Sequence, residues 1–347
     1  MRQSGVELLR TLSIFLILVI HVINLVIGAP NHVDLQHNPI SSITTISFES
    51  ISIVCVNVFI IISGWFGIRY TINGLLKLIF QCVFFYIVEC IIELLFFDQL
   101  SIASFLRGGI SSFFLGWFIS AYIMLYILSP VINNYIVSHK KRECQLILIP
   151  SAIFMLTYGW LFSTTSGNFS TFNSGYSSLF LLILYYSIRY FKVFYYDNYD
   201  LKILNKNNCI KAYILITVLN VILWILFTKL NIHYLSSILF LYTSPIVILQ
   251  SCCLFKIFQE IDIKSKVINW IGASSLSIML FHFCCGGVYF KQVINYIYNE
   301  FSNISCLILI LLFLTSISIV AILLDQIRIV LWKKVEMILK PFLSKFA

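Results

Sequence analysis

Long apolar runs are the feature that most constrains how this chain can fold. A membrane-spanning α-helix needs about 20 mostly apolar residues, because the hydrocarbon core of a bilayer is ~30 Å thick. Such runs recur along the sequence, near residues 7–28, 46–68, 73–97, 113–136, 144–163, 176–195, 209–229, 233–256, 267–290 and 303–328. The sequence therefore predicts an all-α polytopic membrane protein, a bundle of about ten transmembrane helices.

The composition supports the same fold class. Of the 347 residues, 60% are hydrophobic and 11% are charged, whereas soluble domains are about 45–50% apolar and ~25% charged. A bundle of this size uses nearly the whole chain. We therefore expect residues 1–347 to form a single transmembrane domain rather than two soluble ones.

The sequence predicts no metal site and no disulfide framework. Its ten cysteines lie mostly inside apolar runs, without a C-x-x-C pair or a histidine at zinc-ligand spacing. His32, Asp34 and His37 are close together in a connecting segment, but polar residues on an exposed loop are usually just solvated. The cysteines are interpreted as small buried apolar residues.

The basic residues predict the orientation of the bundle. The chain has 23 Lys and Arg against 14 Asp and Glu, an excess that in a soluble protein suggests nucleic-acid binding. With a cytoplasmic N-terminus, all but Arg107, Lys229 and Lys291 fall on the cytoplasmic side. Lys and Arg are enriched in the cytoplasmic loops of membrane proteins. The pattern thus predicts cytoplasmic N- and C-termini, the lipid bilayer as partner and no nucleic-acid partner.

The first apolar run carries two ionisable residues on one face. Arg10 and His21 are eleven residues apart, so at ~100° and ~1.5 Å per residue they share a helix face and lie ~16 Å apart along the axis. Glu7 is three residues before Arg10, at the spacing of an ion pair. Ionisable groups inside a bilayer are costly and usually functional. The alternative stays open that Arg10 is an interfacial charge and His21 only joins helices.

His282 and Glu89 are the other candidates. His282 lies twelve residues beyond Trp270, or ~18 Å into the ninth run, which places it near the depth of His21 and predicts a shared polar cavity. Glu89 lies in the outer half of the third run. Pairing with a histidine would lower the cost of burying Glu89, and such a pair can also tune the basicity of a catalytic imidazole. For both residues a purely structural hydrogen bond is the alternative.

Four motifs in order resemble the type-three membrane acyltransferase family, also called acyltransferase 3, which includes cell-envelope glycan O-acyltransferases. Arg10 and His21 match the Arg, ten residues and His of that family's first helix. The other matching segments are Phe59–Trp65, Trp117–Pro130 and Ser275–His282. The family often has Arg-x-x-Arg at the start of its third helix, where this chain has Gly74-Leu-Leu-Lys77. A lysine keeps the positive charge but cannot make the bidentate phosphate contact of an arginine.

The resemblance implies a membrane O-acyltransferase of the bacterial cell (inner) membrane. It would move an acyl group, expected to be acetyl, from cytoplasmic acyl-CoA to a hydroxyl of an envelope glycan or lipid-linked saccharide. Acetyl-CoA is then a co-substrate, and no cofactor is bound.

The predicted site combines two sets of residues. His21, His282 and Glu89 are the candidate catalytic residues, and Arg10, Lys77 and Arg69 are the candidate contacts to the coenzyme phosphates. The sequence does not decide whether His21 is a general base or itself carries the acyl group.

Two other functional classes remain as alternatives. A glycan or lipid-glycan transporter would use intramembrane His and Glu residues along a translocation path, but transporters usually have Gly/Pro-broken helices in paired halves. A polysaccharide polymerase would be expected to carry a large polar outer loop, and the polar stretch from Ser163 to Gly175 has only thirteen residues. Transfer from, or hydrolysis of, acetyl-CoA by the purified protein separates the enzyme from both.

The charge pattern makes a testable prediction about topology. Cysteines introduced at Asp34 and Ser166 should react with a membrane-impermeant thiol reagent in intact cells, because both positions lie in predicted outer segments. Cysteines at Lys140 and Lys264 should react only after the membrane is permeabilised. A cytoplasmic position 166 would overturn the orientation.

Overall fold

The computed structural model describes residues 3–96, 116–163, 171–196, 205–284 and 289–343. Over these ranges the chain is helical and has no strand, as the sequence predicted. The α-helices, in chain order, are α1 (Ser4–Val22), α2 (His32–His37), α3 (Pro39–Ser52), α4 (Cys55–Phe66), α5 (Ile72–Phe96), α6 (Trp117–Ser138), α7 (Lys141–Phe154), α8 (Ser178–Phe191), α9 (Lys206–Lys229), α10 (His233–Ile238), α11 (Pro245–Gln259), α12 (Lys266–Ala273), α13 (Ser275–Cys284), α14 (Lys291–Glu300) and α15 (Asn303–Leu343). Three of them continue as π-helical segments, α1 through Ile27, α7 through Leu161 and α8 through Tyr196.

Eight helical segments of the described chain are long and apolar enough to cross a membrane. They are Ser4–Ile27, Pro39–Phe66, Ile72–Ile92, Trp117–Ser138, Lys141–Leu161, Ser178–Tyr196, Lys206–Lys229 and Ile304–Pro341. These correspond to eight of the ten predicted runs. The chain is therefore a multi-pass membrane protein.

The two remaining runs, 233–256 and 267–290, are each broken into shorter helices. In the first, α10 ends at Ile238 and α11 begins at Pro245, a residue suited to the first turn of a helix because its missing N–H would have no partner there anyway. In the second, Ser274 separates α12 from α13, and its carbonyl accepts from the Ser277 amide at 3.0 Å. Both halves of each run are apolar, so hydrophobicity alone does not reveal the break.

Helices α1, α4 and α13 form the centre of the bundle. Helix α4 packs against α1, α8 and α11, and α13 packs against α1, α5 and α15. Peripheral helices present apolar side chains to the outside, as α9 does with Ile214, Leu215, Val218 and Ile222. Such surfaces suit lipid, since soluble monomers rarely expose large contiguous apolar patches.

Several basic segments meet at one end of the bundle, which we call the Ser4 end because α1 begins there. The Lys141 ammonium lies 4.0 Å from the Tyr195 ring centroid, and Lys192 and Lys256 both lie over the Tyr196 ring. The Lys206 amide donates to Glu260 at 2.9 Å, and Ser4 bonds to the backbone of Ser265. His32, by contrast, contacts the Thr228 carbonyl at the opposite end. Position 166 lies outside the described residues, and which membrane side the Ser4 end faces stays a prediction.

Candidate active site

The two intramembrane histidines lie in direct contact. Nδ1 of His21 on α1 is 2.6 Å from Nε2 of His282 on α13, and the ring centroids are 4.8 Å apart at 29°. His282 is 3% exposed and His21 is half-buried. The sequence analysis placed the two residues at a similar depth, and the structure brings their side chains into contact although they are 261 positions apart.

A backbone carbonyl indicates which nitrogen of the pair carries a proton. Nδ1 of His282 lies 3.3 Å from the carbonyl oxygen of Ile278, and a carbonyl can only accept. The favourable neutral tautomer of His282 therefore has its proton on Nδ1 and accepts at Nε2. His21 must then donate from Nδ1, so that its basic nitrogen is Nε2. The pair is thereby arranged to make His21 Nε2 a proton acceptor.

Apolar packing fixes the position of His282. The Phe290 ring stands 5.9 Å from the His282 ring in an edge arrangement. The neighbouring Phe281 ring lies 6.4 Å from the fully buried Phe85 ring of α5. These aromatic contacts hold α13 between α5 and the segment before α14, and restrict the rotation of the helix that carries the imidazole.

A cavity of about 200 Å³ lies inside the bundle at the level of Arg10, and neither histidine is among its described lining residues. Arg10, Ser63, Tyr122, Ile14 and Met279 are among its lining residues. Met279 precedes His282 by one turn, and Ile14 precedes His21 by two turns. The lining is mostly apolar, with the guanidinium of Arg10 and a few hydroxyl groups as its polar parts. Such a cavity suits a ligand with an anionic end and an extended, weakly polar arm.

Arg10 is anchored by the predicted ion pair. Its Nη1 donates to Oε1 of Glu7 at 2.7 Å, and the Glu7 side chain is 4% exposed while that of Arg10 is 32% exposed. Glu7 also packs against Gly272, where a Cβ atom would clash with it. The carboxylate therefore orients the guanidinium, and α12 can approach α1 closely because residue 272 is a glycine.

The remaining sequence-predicted residues, Lys77, Arg69 and Glu89, belong neither to the His21–His282 contact nor to the described lining of the cavity. The described lining of the cavity includes Leu78 but neither Lys77 nor Arg69, which are both exposed near the Ser4 end. The Arg69 carbonyl accepts from the Tyr126 hydroxyl at 3.4 Å. Glu89 is half-buried on α5 one turn after Phe85, and so shares the helix face directed towards α13. Roles for all these residues stay predictions.

The sequence analysis did not identify a buried ionic cluster centred on Asp325. Asp325 and Arg328 are 0% and 2% exposed and pair at 2.8 Å on α15. Arg328 was counted among the cytoplasmic basic residues at the end of the tenth run. The sequence does contain a signal for this cluster, namely an acid and a base three residues apart within an apolar run. Such a pair inside a membrane helix usually has a structural partner or a function.

The fold and the buried pair define a multi-pass membrane protein with a two-histidine site inside its helical bundle. Residues 3–324 match the model of the acyltransferase 3 family, described as an acyltransferase domain. The chain belongs to this family and is a membrane acyltransferase. No curated protein and no solved structure matches it. Membership of the family favours the enzyme over the transporter and polymerase alternatives.

The arrangement of the pair predicts the tautomer of His21. In protein labelled with ¹⁵N-histidine, at a pH where both imidazoles are neutral, proton–nitrogen correlation spectra should show His21 protonated at Nδ1 and unprotonated at Nε2. The reason is that His282 Nε2 accepts a hydrogen bond from the Nδ1–H of His21. The signals that disappear in the His21→Gln variant are those of His21. His282→Phe keeps a ring but removes the acceptor, and should shift His21 towards the Nε2–H form. A wild-type His21 protonated at Nε2 would contradict the arrangement.

Proposed function

We propose that this protein is an O-acetyltransferase that takes an acyl group from cytoplasmic acyl-CoA and transfers it to a hydroxyl of an envelope glycan or lipid-linked saccharide. The observation that carries the proposal is the placement of the His21–His282 pair just beyond a cavity that has Arg10 in its lining. A thioester reaching through the cavity would bring its carbonyl carbon towards the imidazoles while its phosphates stay at the Ser4 end.

The donor half of the site is basic. Arg10, Lys77 and Arg69 lie towards the Ser4 end, and their charges suit the phosphate groups of the coenzyme. Arg10 lines the cavity itself, whereas Lys77 and Arg69 lie on the surface. The two exposed cations therefore act by attracting and holding the nucleotide part outside the cavity, where charge complementarity mainly speeds association. In this proposal the Ser4 end faces the cytoplasm of a bacterial cell.

The acceptor half depends on His21. Its Nε2 removes the proton from the acceptor hydroxyl as the hydroxyl oxygen attacks the thioester carbonyl carbon. The bond to sulfur breaks, the coenzyme leaves as a thiolate, and the imidazolium returns the proton to it. Throughout, Nε2 of His282 accepts a hydrogen bond from the Nδ1–H of His21 and so stabilises the imidazolium that forms.

A covalent route uses the same atoms in a different order. Nε2 of His21 attacks the thioester carbon and the coenzyme leaves as a thiolate. The saccharide hydroxyl then attacks the acyl-imidazole, the carbon–nitrogen bond to Nε2 breaks, and the hydroxyl proton ends on the thiolate. In either route the proposed role of Glu89, which shares the α5 face of Phe85, is to tune the basicity of the imidazole. Trapping an acylated His21 by rapid acid quench in the absence of acceptor distinguishes this route from direct transfer.

Two experiments test the proposed activity. Mass spectrometry of surface glycans from cells with and without the protein should show an increment of one acyl group that depends on the protein. Purified protein in lipid nanodiscs should transfer or slowly hydrolyse the acetyl group of labelled acetyl-CoA. A protein that does neither, while moving or polymerising glycan, would be a transporter or polymerase instead.

The first prediction from this mechanism concerns His21. His21→Ala should lower transfer by about 10² to 10⁴ fold, the usual cost of removing an acid–base or nucleophilic group. His21→Gln keeps a similar size and hydrogen bonding but cannot accept a proton at neutral pH. Detergent melting and membrane yield control for the cavity left by truncation. Near-normal acylation by a folded His21→Gln protein would make the residue a packing residue only.

The second prediction concerns Lys77. Lys77→Arg should keep or improve affinity for acetyl-CoA, because a guanidinium can contact phosphate with two donors. Lys77→Glu should weaken binding by charge repulsion, more so at low ionic strength. Isothermal titration of both variants measures the effect. Wild-type affinity in both would remove Lys77 from the donor site.

A further inference from the structure

The buried charges of α15 form the centre of a polar network. Oδ1 of Asp325 accepts from Nε and Nη2 of Arg328, both at 2.8 Å. The side chains of Arg328 and Asp325 are 3% and 0% exposed. Nη1 of Arg328 is buried and has no hydrogen-bond partner among the described residues.

The network links α15 to the helix that carries His282. Ser274 donates from Oγ to Oδ2 of Asp325 at 2.8 Å. Gln81 on α5 donates from Nε2 to Ser277 Oγ at 2.7 Å and more weakly to Asp325 at 3.4 Å. Asp325 thus connects α5, α15 and the start of α13 through side chains that are all buried.

Stability alone does not account for this network. Taking an acid and a base out of water costs more than their attraction often returns, so that apolar residues of similar size are frequently as stabilising or more so. The unpartnered Nη1 of Arg328 adds to that cost. A buried ionic group in a membrane helix therefore needs another role, and geometry indicates which one.

The network acts at the break between α12 and α13. Ser274 is the residue at which the ninth apolar run is interrupted, and α13 begins at the next residue. His282 follows Ser274 by eight residues, or ~12 Å along the helix. Without a continuous helix through Ser274, the rotation and height of α13 are set by side-chain contacts, which at its first turn include polar bonds to Asp325, Gln81 and Gln326.

We infer that Asp325 is a positioning residue that holds α13 so that Nε2 of His282 stays within hydrogen-bonding distance of Nδ1 of His21. Asp325 touches neither histidine and takes no part in the chemistry. Its effect is geometric, since a displacement of about 1 Å in a catalytic group can cost ~10²-fold in rate. The kinetic consequence rests on the proposed acyltransferase function, whereas the effect on the histidine pair does not.

The test uses the full-length protein in nanodiscs and one mild and one strong variant. Ser274→Ala removes a single hydroxyl and leaves the Asp325–Arg328 pair intact, so it should remain folded. Asp325→Asn removes the charge at almost constant shape. Both should weaken the Nδ1–H signature of His21 in the ¹⁵N spectra, and both should lower kcat by about 10- to 100-fold with little change in KM for acetyl-CoA.

Glu336→Gln is the matched control. Glu336 lies on the same helix α15 and accepts from the Asn73 amide of α5 at 2.7 Å, as Asp325 accepts from the Gln81 amide. Its bond involves no residue of α12 or α13. This variant should therefore leave both kcat and the His21 signature unchanged, which separates positioning from a general loss of α5–α15 packing.

The double variant Ser274→Ala/Asp325→Asn provides a further test. If Asp325 acts on α13 through Ser274, the double variant should lose little more activity than Asp325→Asn alone, because the two changes interrupt one path. If the activity losses of the two single variants instead multiplied in the double variant, the two residues would act independently and the path through Ser274 would be contradicted. An unchanged His21 signature and kcat in both folded single variants would overturn the inference, while an inactive wild type with the expected spectral changes would refute only the proposed function.

Discussion

The bilayer core offers no water to hydrogen-bond a polar group, and most of this structure follows from that constraint. Backbone groups are satisfied by helices, and several ionisable side chains pair with one another within the chain. Glu7 holds Arg10 on α1, Asp325 holds Arg328 on α15, and His21 meets His282 across two helices. The first two pairs are local, and the third exists only because α1 and α13 pack together.

Helix α1 organises the site because it carries both ends of it. The spacing of Arg10 and His21 separates a guanidinium near the Ser4 end from an imidazole ~16 Å further along the helix, and the cavity beside α1 is lined by Arg10 and Ile14 of that helix. A coenzyme thioester has the same layout, with phosphates at one end and the reactive carbon at the end of an extended arm. The proposed function therefore brings a charged donor and a saccharide acceptor together without drawing the phosphates into the membrane.

The contact between the two imidazoles determines which nitrogen of His21 is basic. One neutral imidazole can donate to another only if their tautomers are complementary, and the Ile278 carbonyl favours the assignment that leaves His21 Nε2 basic. The break at Ser274 makes this geometry adjustable, because α13 is not rigidly continuous with α12. The Asp325 network would then restore the rigidity that the break removes.

The sequence by itself determined what depends on local spacing. Apolar run lengths gave the all-α membrane class, the i,i+3 spacing gave the Glu7–Arg10 pair, and ordered motifs indicated the family to which residues 3–324 belong. Tertiary structure decided that runs 233–256 and 267–290 are broken, that Lys77 and Arg69 lie outside the described cavity lining, and that Asp325 meets Ser274. These features depend on how helices distant in sequence pack, and periodicity along one helix carries no information about the rotation and depth of its neighbour.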